Sequence, residues 1–169
     1  VWVRGPQVMR GYLNQPEATA ATLDADGWLH TGDVGFVDPD GYLHVVDRVK
    51  ELIKVKGLQV APAELEAVLL SHPGVADAAV IPIRDERSGE VPKAYVVPRA
   101  QPDEPERFAA DVMSFVAERV APHKRIRAVQ LTDAIPKSAS GKILRRVLVD
   151  RERVLGAVRR PTAAPSGVA

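Results

Sequence analysis

Three short stretches hold residues whose types and spacing could act on an anion or a nucleotide. The first is Pro136-Lys137-Ser138-Ala139-Ser140-Gly141-Lys142, where small polar residues run into a lysine ahead of a helical pattern that begins near Ile143. Free backbone N–H groups, the positive end of a helix dipole and a lysine ammonium together outline a site for phosphate or carboxylate. It is not a Walker A loop, because Pro136 stands where the first glycine belongs and Ile143 where that motif puts its magnesium-binding Ser or Thr. The pattern alone fits an anion site and a plain flexible loop equally. The second stretch is Thr31-Gly32-Asp33 at a strand end, where the carboxylate can accept hydrogen bonds from a ribose diol or merely close a turn. The third runs from Asp47 to Gly57, with Arg48, Lys50, Lys54 and Lys56 alternating with apolar residues, as in a strand with one wet face.

Other chemistry is excluded by what is absent. With no cysteine there is no disulfide, thiolate metal site or cysteine nucleophile. No Gly-x-Ser-x-Gly elbow or His-Glu-x-x-His pair occurs, and His30, His44, His72 and His123 are scattered, which reads as structural. Asp24-Ala25-Asp26-Gly27 and Asp38-Pro39-Asp40-Gly41 look faintly like calcium loops but lack the remaining ligands and the distal glutamate, so they read as hairpin turns, and no metal site is expected. The net charge of +1 exerts no overall pull toward nucleic acid or lipid. It is unevenly spread: residues 123–160 hold 11 basic and 3 acidic side chains, a bias that suits either a polyanionic ligand or a solvated face.

The elements that must carry these stretches follow from periodicity. Residues 1–46 read as β structure punctuated by turns, too little to form a stable unit uncovered. Pro62 sits where a first-turn proline belongs and opens a helix over Ala63–Leu70, stopped by His72-Pro73-Gly74. Strands are expected over 75–83 and 91–97, a helix over about 104–120 from the recurrence of Phe108, Val112, Phe115, Val116 and Val120, a strand near 126–131 and a last helix from about Ile143. The fold class is α+β, with helices packed on a short sheet. The expected division is a β-rich edge of a larger domain (1–46), a hinge (47–50), a small α+β domain (51–155) and a disordered Pro/Ala-rich tail (156–169). At 169 residues and 46% hydrophobic content the chain can bury a real core, and it has no apolar run long enough to span a bilayer. A valine start leading straight into a strand looks like a piece of something longer, and with no basic-then-apolar leader pattern the expected setting is cytoplasmic.

Taken in order, Gly11-Tyr12-Leu13-Asn14-Gln15-Pro16-Glu17-Ala18-Thr19, Gly27 to Asp33, Asp47 to Gly57, Gln59 to Glu66, Pro122-His123-Lys124 and Ile135 to Arg146 resemble the C-terminal portion of an adenylate-forming acyl-CoA synthetase, in its 4-coumarate-CoA ligase and luciferase-like branch. The resemblance covers residues 1 to about 150. It implies a reaction in which a carboxylic acid and MgATP give an acyl-adenylate, from which the thiol of coenzyme A displaces AMP. Asp33 and Arg48 would bind the nucleotide, Lys142 would be the adenylation lysine, and Asp47, Arg48 and Lys50 would form the hinge, with Lys50 at the hinge position itself. Lys54 would be catalytic in the thioester-forming pose, and Lys56 and Gly57 would line the coenzyme A tunnel.

The same resemblance implies that ATP or AMP, Mg2+ and coenzyme A are the cofactors and co-substrates, with Mg2+ held mainly by an N-terminal domain that also carries the phosphate loop and acyl pocket. That domain is the expected partner, with the carboxylic acid and coenzyme A, and no nucleic acid or membrane span is implied. Alone, the chain would be inactive. A carrier-protein thiol as acceptor and a non-catalytic nucleotide- or nucleic-acid-binding module are the competing readings.

Overall fold

The computed structural model describes residues 1–158, with side chains to 154. Backbone contacts divide the chain into two compact units, the first being Val1–Leu52 and the second beginning at Ile53.

The first unit is made of hairpins. Strand β1 (Trp2–Val3) pairs antiparallel with β2 (Leu29–His30), and β3 (Asp33–Val37) with β4 (Leu43–Arg48). Between β1 and β2 lies a helix absent from the sequence reading, α1 (Pro16–Ala20), with proline in its first turn. The Thr19 and Thr22 hydroxyls donate back to the carbonyls of Gln15 and Ala18. Two Asp-rich loops close hairpins in one way: the Gly27 and Gly41 amides donate to the Asp24 and Asp38 carbonyls, and the aspartate amides donate to the carbonyls of Trp28 and Tyr42. This is the three-residue hairpin whose last loop residue is left-handed, met by glycines at φ 81° and 89°. At the β3 bulge, a methyl on Gly35 would lie 2.5 Å from the His44 carbonyl oxygen, so the close strand approach requires glycine. Of residues 1–52 only Asp47 is buried, while Phe36, Val37, Tyr42, Leu43 and Val45 are exposed.

The second unit contains the core. Its sheet comprises β5 (Ile53–Val55), β6 (Leu58–Val60), β7 (Val75–Asp85), β8 (Gly89–Pro98) and β9 (Ala128–Leu131). Long β8 pairs antiparallel with β7 on one side; on the other it meets β5 at one end and runs parallel to β9 at the other, leaving β7 as an edge. Strand alternation sends Ala78, Val80, Ala94 and Val96 into one apolar cluster with α2 (Pro62–Leu70) and α3 (Pro105–Ala117). It sends Ala79, Ile81 and Tyr95 into a second cluster with Leu148 of α4 (Arg145–Val158). Helices cover both faces, an α+β arrangement. Helix α3 is shorter than the expected 104–120, starting at Pro105, which sets its first turn, and ending at Ala117, and α4 starts two residues beyond Ile143. The expected tail begins inside this helix, since residues 156–158 are its last turn, and its residues 159–169 lie outside the described residues.

On the α4 face, buried Lys93 donates to the Glu152 carboxylate at 2.5 Å and Tyr95 Oη donates to the same oxygen at 2.8 Å. Burial, then the Glu152 carboxylate, pushes the Tyr95 phenol up from its ordinary value, so it remains a donor. Among the described residues no helix is long and apolar enough to cross a membrane.

Candidate functional site

The segment carrying Lys142 is a small hairpin, not a flexible run into a helix. Pro136 accepts from the Leu144 amide at 2.8 Å, and Lys137 bridges Ile143 across its base. At the tip Ser138 N donates to the Lys142 carbonyl at 2.8 Å, and Gly141 N, at φ 80°, donates to the Ser138 carbonyl at 2.9 Å. Ser138 Oγ accepts from the Lys142 amide at 3.2 Å and lies 2.9 Å from Ser140 Oγ. Three of the loop's amides, those of Ser138, Gly141 and Lys142, are therefore used within it, and the charged anion-attracting group it presents is the Lys142 ammonium.

Two ion pairs pin this hairpin beside edge strand β7, and the sequence reading missed both. Lys137 donates to Asp77 at 2.5 Å on the incoming arm. Past the outgoing arm, Arg145 donates to Glu66 Oε2 at 2.6 Å, while Glu66 Oε1 accepts the edge amide of Val80 at 2.8 Å. Glu66 is buried, and a glutamate on the first half of a helix is otherwise a solvated residue. The usable signal was its place in the middle of α2 on an otherwise apolar face, between Leu65 and Leu69.

The seven lysines of the chain sort into two sets. Lys93, Lys124 and Lys137 are each ion-paired, to Glu152, Glu64 and Asp77. Lys50, Lys54, Lys56 and Lys142 are exposed, and their ammonium groups have no hydrogen-bond or ion-pair partner among the described residues. Lys54 stands between buried Ile53 and Val55, so its side chain faces away from the core, and its amide donates to Glu90 at 2.8 Å. Lys56 and Gly57 are the centre of the β5–β6 turn, both left-handed at φ 50° and 80° as a two-residue hairpin of this type demands. Lysine is strained there, and open space surrounds Gly57.

In the first unit Asp33 and Arg48 are opposite one another on β3 and β4, with Arg48 Nε and Asp33 Oδ1 ion-paired at 3.2 Å. Both side chains reach solvent, so the carboxylate can meet an incoming hydroxyl. Asp47 is buried and accepts from the Arg48 amide at 2.7 Å. Asp47 and Arg48 belong to the β3–β4 ladder and the Val49 amide donates to the Gly32 carbonyl. Lys50, within a 3-10 turn over Val49–Glu51, is the first of the expected hinge residues outside the ladder.

The four histidines take fixed places or none. His30 and His44 face Asp24 and Asp38 at 3.0 and 2.6 Å, and buried His72 accepts from the Gly74 amide and faces Asp111. Among the described residues no group of three or more His, Asp or Glu could hold a metal ion.

Comparison with known proteins places this geometry. Residues 64–142, ending on the lysine of the pinned hairpin, match the AMP-binding enzyme C-terminal domain. That segment belongs with the AMP-binding enzymes. The chain is 61% identical over 148 residues to 4-coumarate-CoA ligase 2 of Narcissus pseudonarcissus, covering 88% of this chain and 26% of the relative. Among solved structures it is similar to the o-succinylbenzoate CoA synthetase of Bacillus subtilis in complex with its acyl-adenylate intermediate, with TM-score 0.76 and 40% identity over 87% of this chain and 29% of that one. It is similar also to ATP-bound MatB of Rhodopseudomonas palustris, with TM-score 0.81 and 32% identity over 90% of this chain and 30% of that one. The chain thus spans about a quarter of the length of the curated relatives it matches, 26% in the case above.

Proposed function

We propose that this chain is the lid-bearing part of an ATP-dependent acid–thiol ligase that makes an acyl-adenylate and then an acyl-CoA thioester. The observation that carries the reading is the exposed, unpaired Lys142 ammonium on a hairpin held at both arms. During adenylation, a carboxylate attacks an already anionic phosphate. Two unit charges ~4 Å apart at an effective dielectric of 20 interact by about 4 kcal/mol, so a cation brought to that point speeds the step. Lys142 supplies it to the carboxylate and the α-phosphate oxygens.

Asp33 accepts the ribose hydroxyls of AMP, and Arg48, already aligned by its bond to Asp33, holds the ribose or phosphate. After pyrophosphate leaves, Lys142 would obstruct the thiol. Rotation about a hinge of Asp47, Arg48 and Lys50, absorbed at Lys50 because Asp47 and Arg48 are tied into the ladder, replaces it with Lys54 and the Lys56-Gly57 turn. There the glycine lets the backbone approach the pantetheine arm closely.

The acyl pocket and phosphate loop lie in the upstream region that relatives carry, as does most of the Mg2+ site, so the chain alone does not complete the reaction. A cytoplasmic setting with ATP and coenzyme A at hand completes the reading. The test uses the two half-reactions of the full-length ligase. Lys142→Ala lowers acid-dependent ATP–pyrophosphate exchange by on the order of 100- to 1000-fold and spares thioester formation from supplied acyl-adenylate; Lys54→Ala does the reverse. Equal losses in both half-reactions for either variant refute the assignment.

A further inference from the structure

Three loops in this chain share one backbone plan and differ in what the first side chain meets: the aspartates also accept the amides of Asp26 and Asp40, whereas Ser138 Oγ meets Ser140 Oγ. Asp24-Ala25-Asp26-Gly27, Asp38-Pro39-Asp40-Gly41 and Ser138-Ala139-Ser140-Gly141 each close with the glycine amide donating to the first residue's carbonyl, and with the first residue's amide donating to the carbonyl four residues on. In each, a side-chain oxygen of the first residue also accepts the amide four residues on, that of Trp28 at 2.9 Å, Tyr42 at 2.8 Å and Lys142 at 3.2 Å. In the two aspartate loops the second carboxylate oxygen faces the histidine six residues on, His30 or His44. At the matching place in the third loop stands Leu144, whose side chain offers no hydrogen bond.

We propose that Ser138 is a positioning residue for Lys142, and that its neutrality is required as much as its hydrogen bond. The inference rests on the adenylation role proposed above for Lys142. Aspartate is the residue this loop geometry takes elsewhere in the chain, and it caps an amide better than serine because its acceptor is charged. Placed at 138, its second oxygen would have no histidine to face; adjacent Lys137 is already paired with Asp77, so the nearest cation along the chain without a partner among the described residues is Lys142, whose own amide is bound to the same side chain. The carboxylate would compensate the ammonium that the reaction needs bare. Serine makes the same amide bond and leaves that charge unopposed.

The test compares Ser138→Asp, Ser138→Asn and Lys142→Ala in the full-length ligase, with the acid giving the largest wild-type exchange from a panel of aromatic and fatty acids. Asparagine keeps an acceptor oxygen without charge. Ser138→Asp is expected to lower ATP–pyrophosphate exchange about 10- to 100-fold, with Ser138→Asn within about threefold of wild type and thioester formation from supplied acyl-adenylate unchanged in both. Slow hydrogen exchange at the Lys142 amide in both variants shows that the hairpin is intact. If the Asp and Asn variants lose exchange activity alike, or if both half-reactions fall together, Ser138 is a structural cap only and the proposal is overturned. If Lys142→Ala leaves adenylation intact, the ligase reading itself fails and takes this proposal with it. If Lys142→Ala abolishes adenylation and Ser138→Asp does not lower it, the ligase reading stands and this proposal alone is overturned.

Discussion

Asp38 does three things with one carboxylate. It accepts the Asp40 and Tyr42 amides and faces His44, and the hydrogen bond to His44, then that from the Tyr42 amide, hold its carboxyl below the ordinary value of 3.8. Asp24 repeats the pattern with the Trp28 amide as the leading cause. Because folding lowers these carboxyls, their stabilisation is present above the unfolded-state value and fades as pH falls through the lower folded-state value. Asp38→Ala is therefore expected to lower the thermal midpoint of the β3–β4 hairpin at pH 7. The gap from the parent chain should close below about pH 3.8, the ordinary carboxylate value, as followed by tyrosine-region circular dichroism across a pH series. A gap that persists undiminished to pH 2 would mean that the aspartate acts through shape alone. The repeat was legible in the sequence as a hairpin signal, because Gly at the end of an Asp-rich loop has a known geometric use. The shared plan with Ser138 was not, since serine and alanine by composition read only as loop.

Two of the elements that present the candidate site are held by buried or half-buried charge. Helix α4 is tied to β8 by Lys93, Tyr95 and Glu152, and its first residue is tied to α2 and β7 by Glu66. Glu66 matters more than its single ion pair suggests, because it also satisfies the outward amide of Val80 on an edge strand, which water or nothing would otherwise meet. Glu66→Gln keeps an acceptor for Val80 but removes the charge that Glu66 sets against the mostly buried Arg145 guanidinium. Breaking such a pair from one side costs about 2–3 kcal/mol. For a unit of roughly 100 residues that is about 10–20 °C in thermal midpoint, measurable by calorimetry, and a shift under 3 °C would show the pair to be inert. Helix α2, the β7–β8 hairpin and α3 could be read from Pro62, the β-branched runs and the Val112/Val116 spacing, since local pattern and burial agree there. Helix α1 could not be, because five residues carry no periodicity and its order comes from threonine hydroxyls folding back on the chain. The pins of the Lys142 hairpin, Glu66 to Arg145 and Asp77 to Lys137, join residues 79 and 60 positions apart, a separation that no local pattern encodes.

At the scale of the whole chain the two units differ in what sustains them. The second buries two apolar clusters on either face of its sheet, whereas the first buries only Asp47 and turns Phe36, Val37, Tyr42, Leu43 and Val45 outward. Two-stranded ribbons with apolar residues in water are marginal, and contiguous exposed apolar surface on this scale is ordinarily covered. Since the match spans only 26% of the relative's length, the upstream region invoked under the proposed function is the candidate cover. Hydrogen exchange separates the units without any activity assay. In the 169-residue chain, ladder amides of β3–β4 should exchange on the order of 100-fold faster than those of β7–β8, because opening a hairpin exposes little apolar surface while opening the central sheet exposes both clusters. Supplying the upstream region in the same polypeptide should slow β3–β4 exchange toward the β7–β8 value and leave β7–β8 unchanged. If the isolated chain already protects both ladders equally, the first unit is self-sufficient, and the Asp33–Arg48 pair owes its alignment to the hairpin alone and nothing to a neighbouring domain.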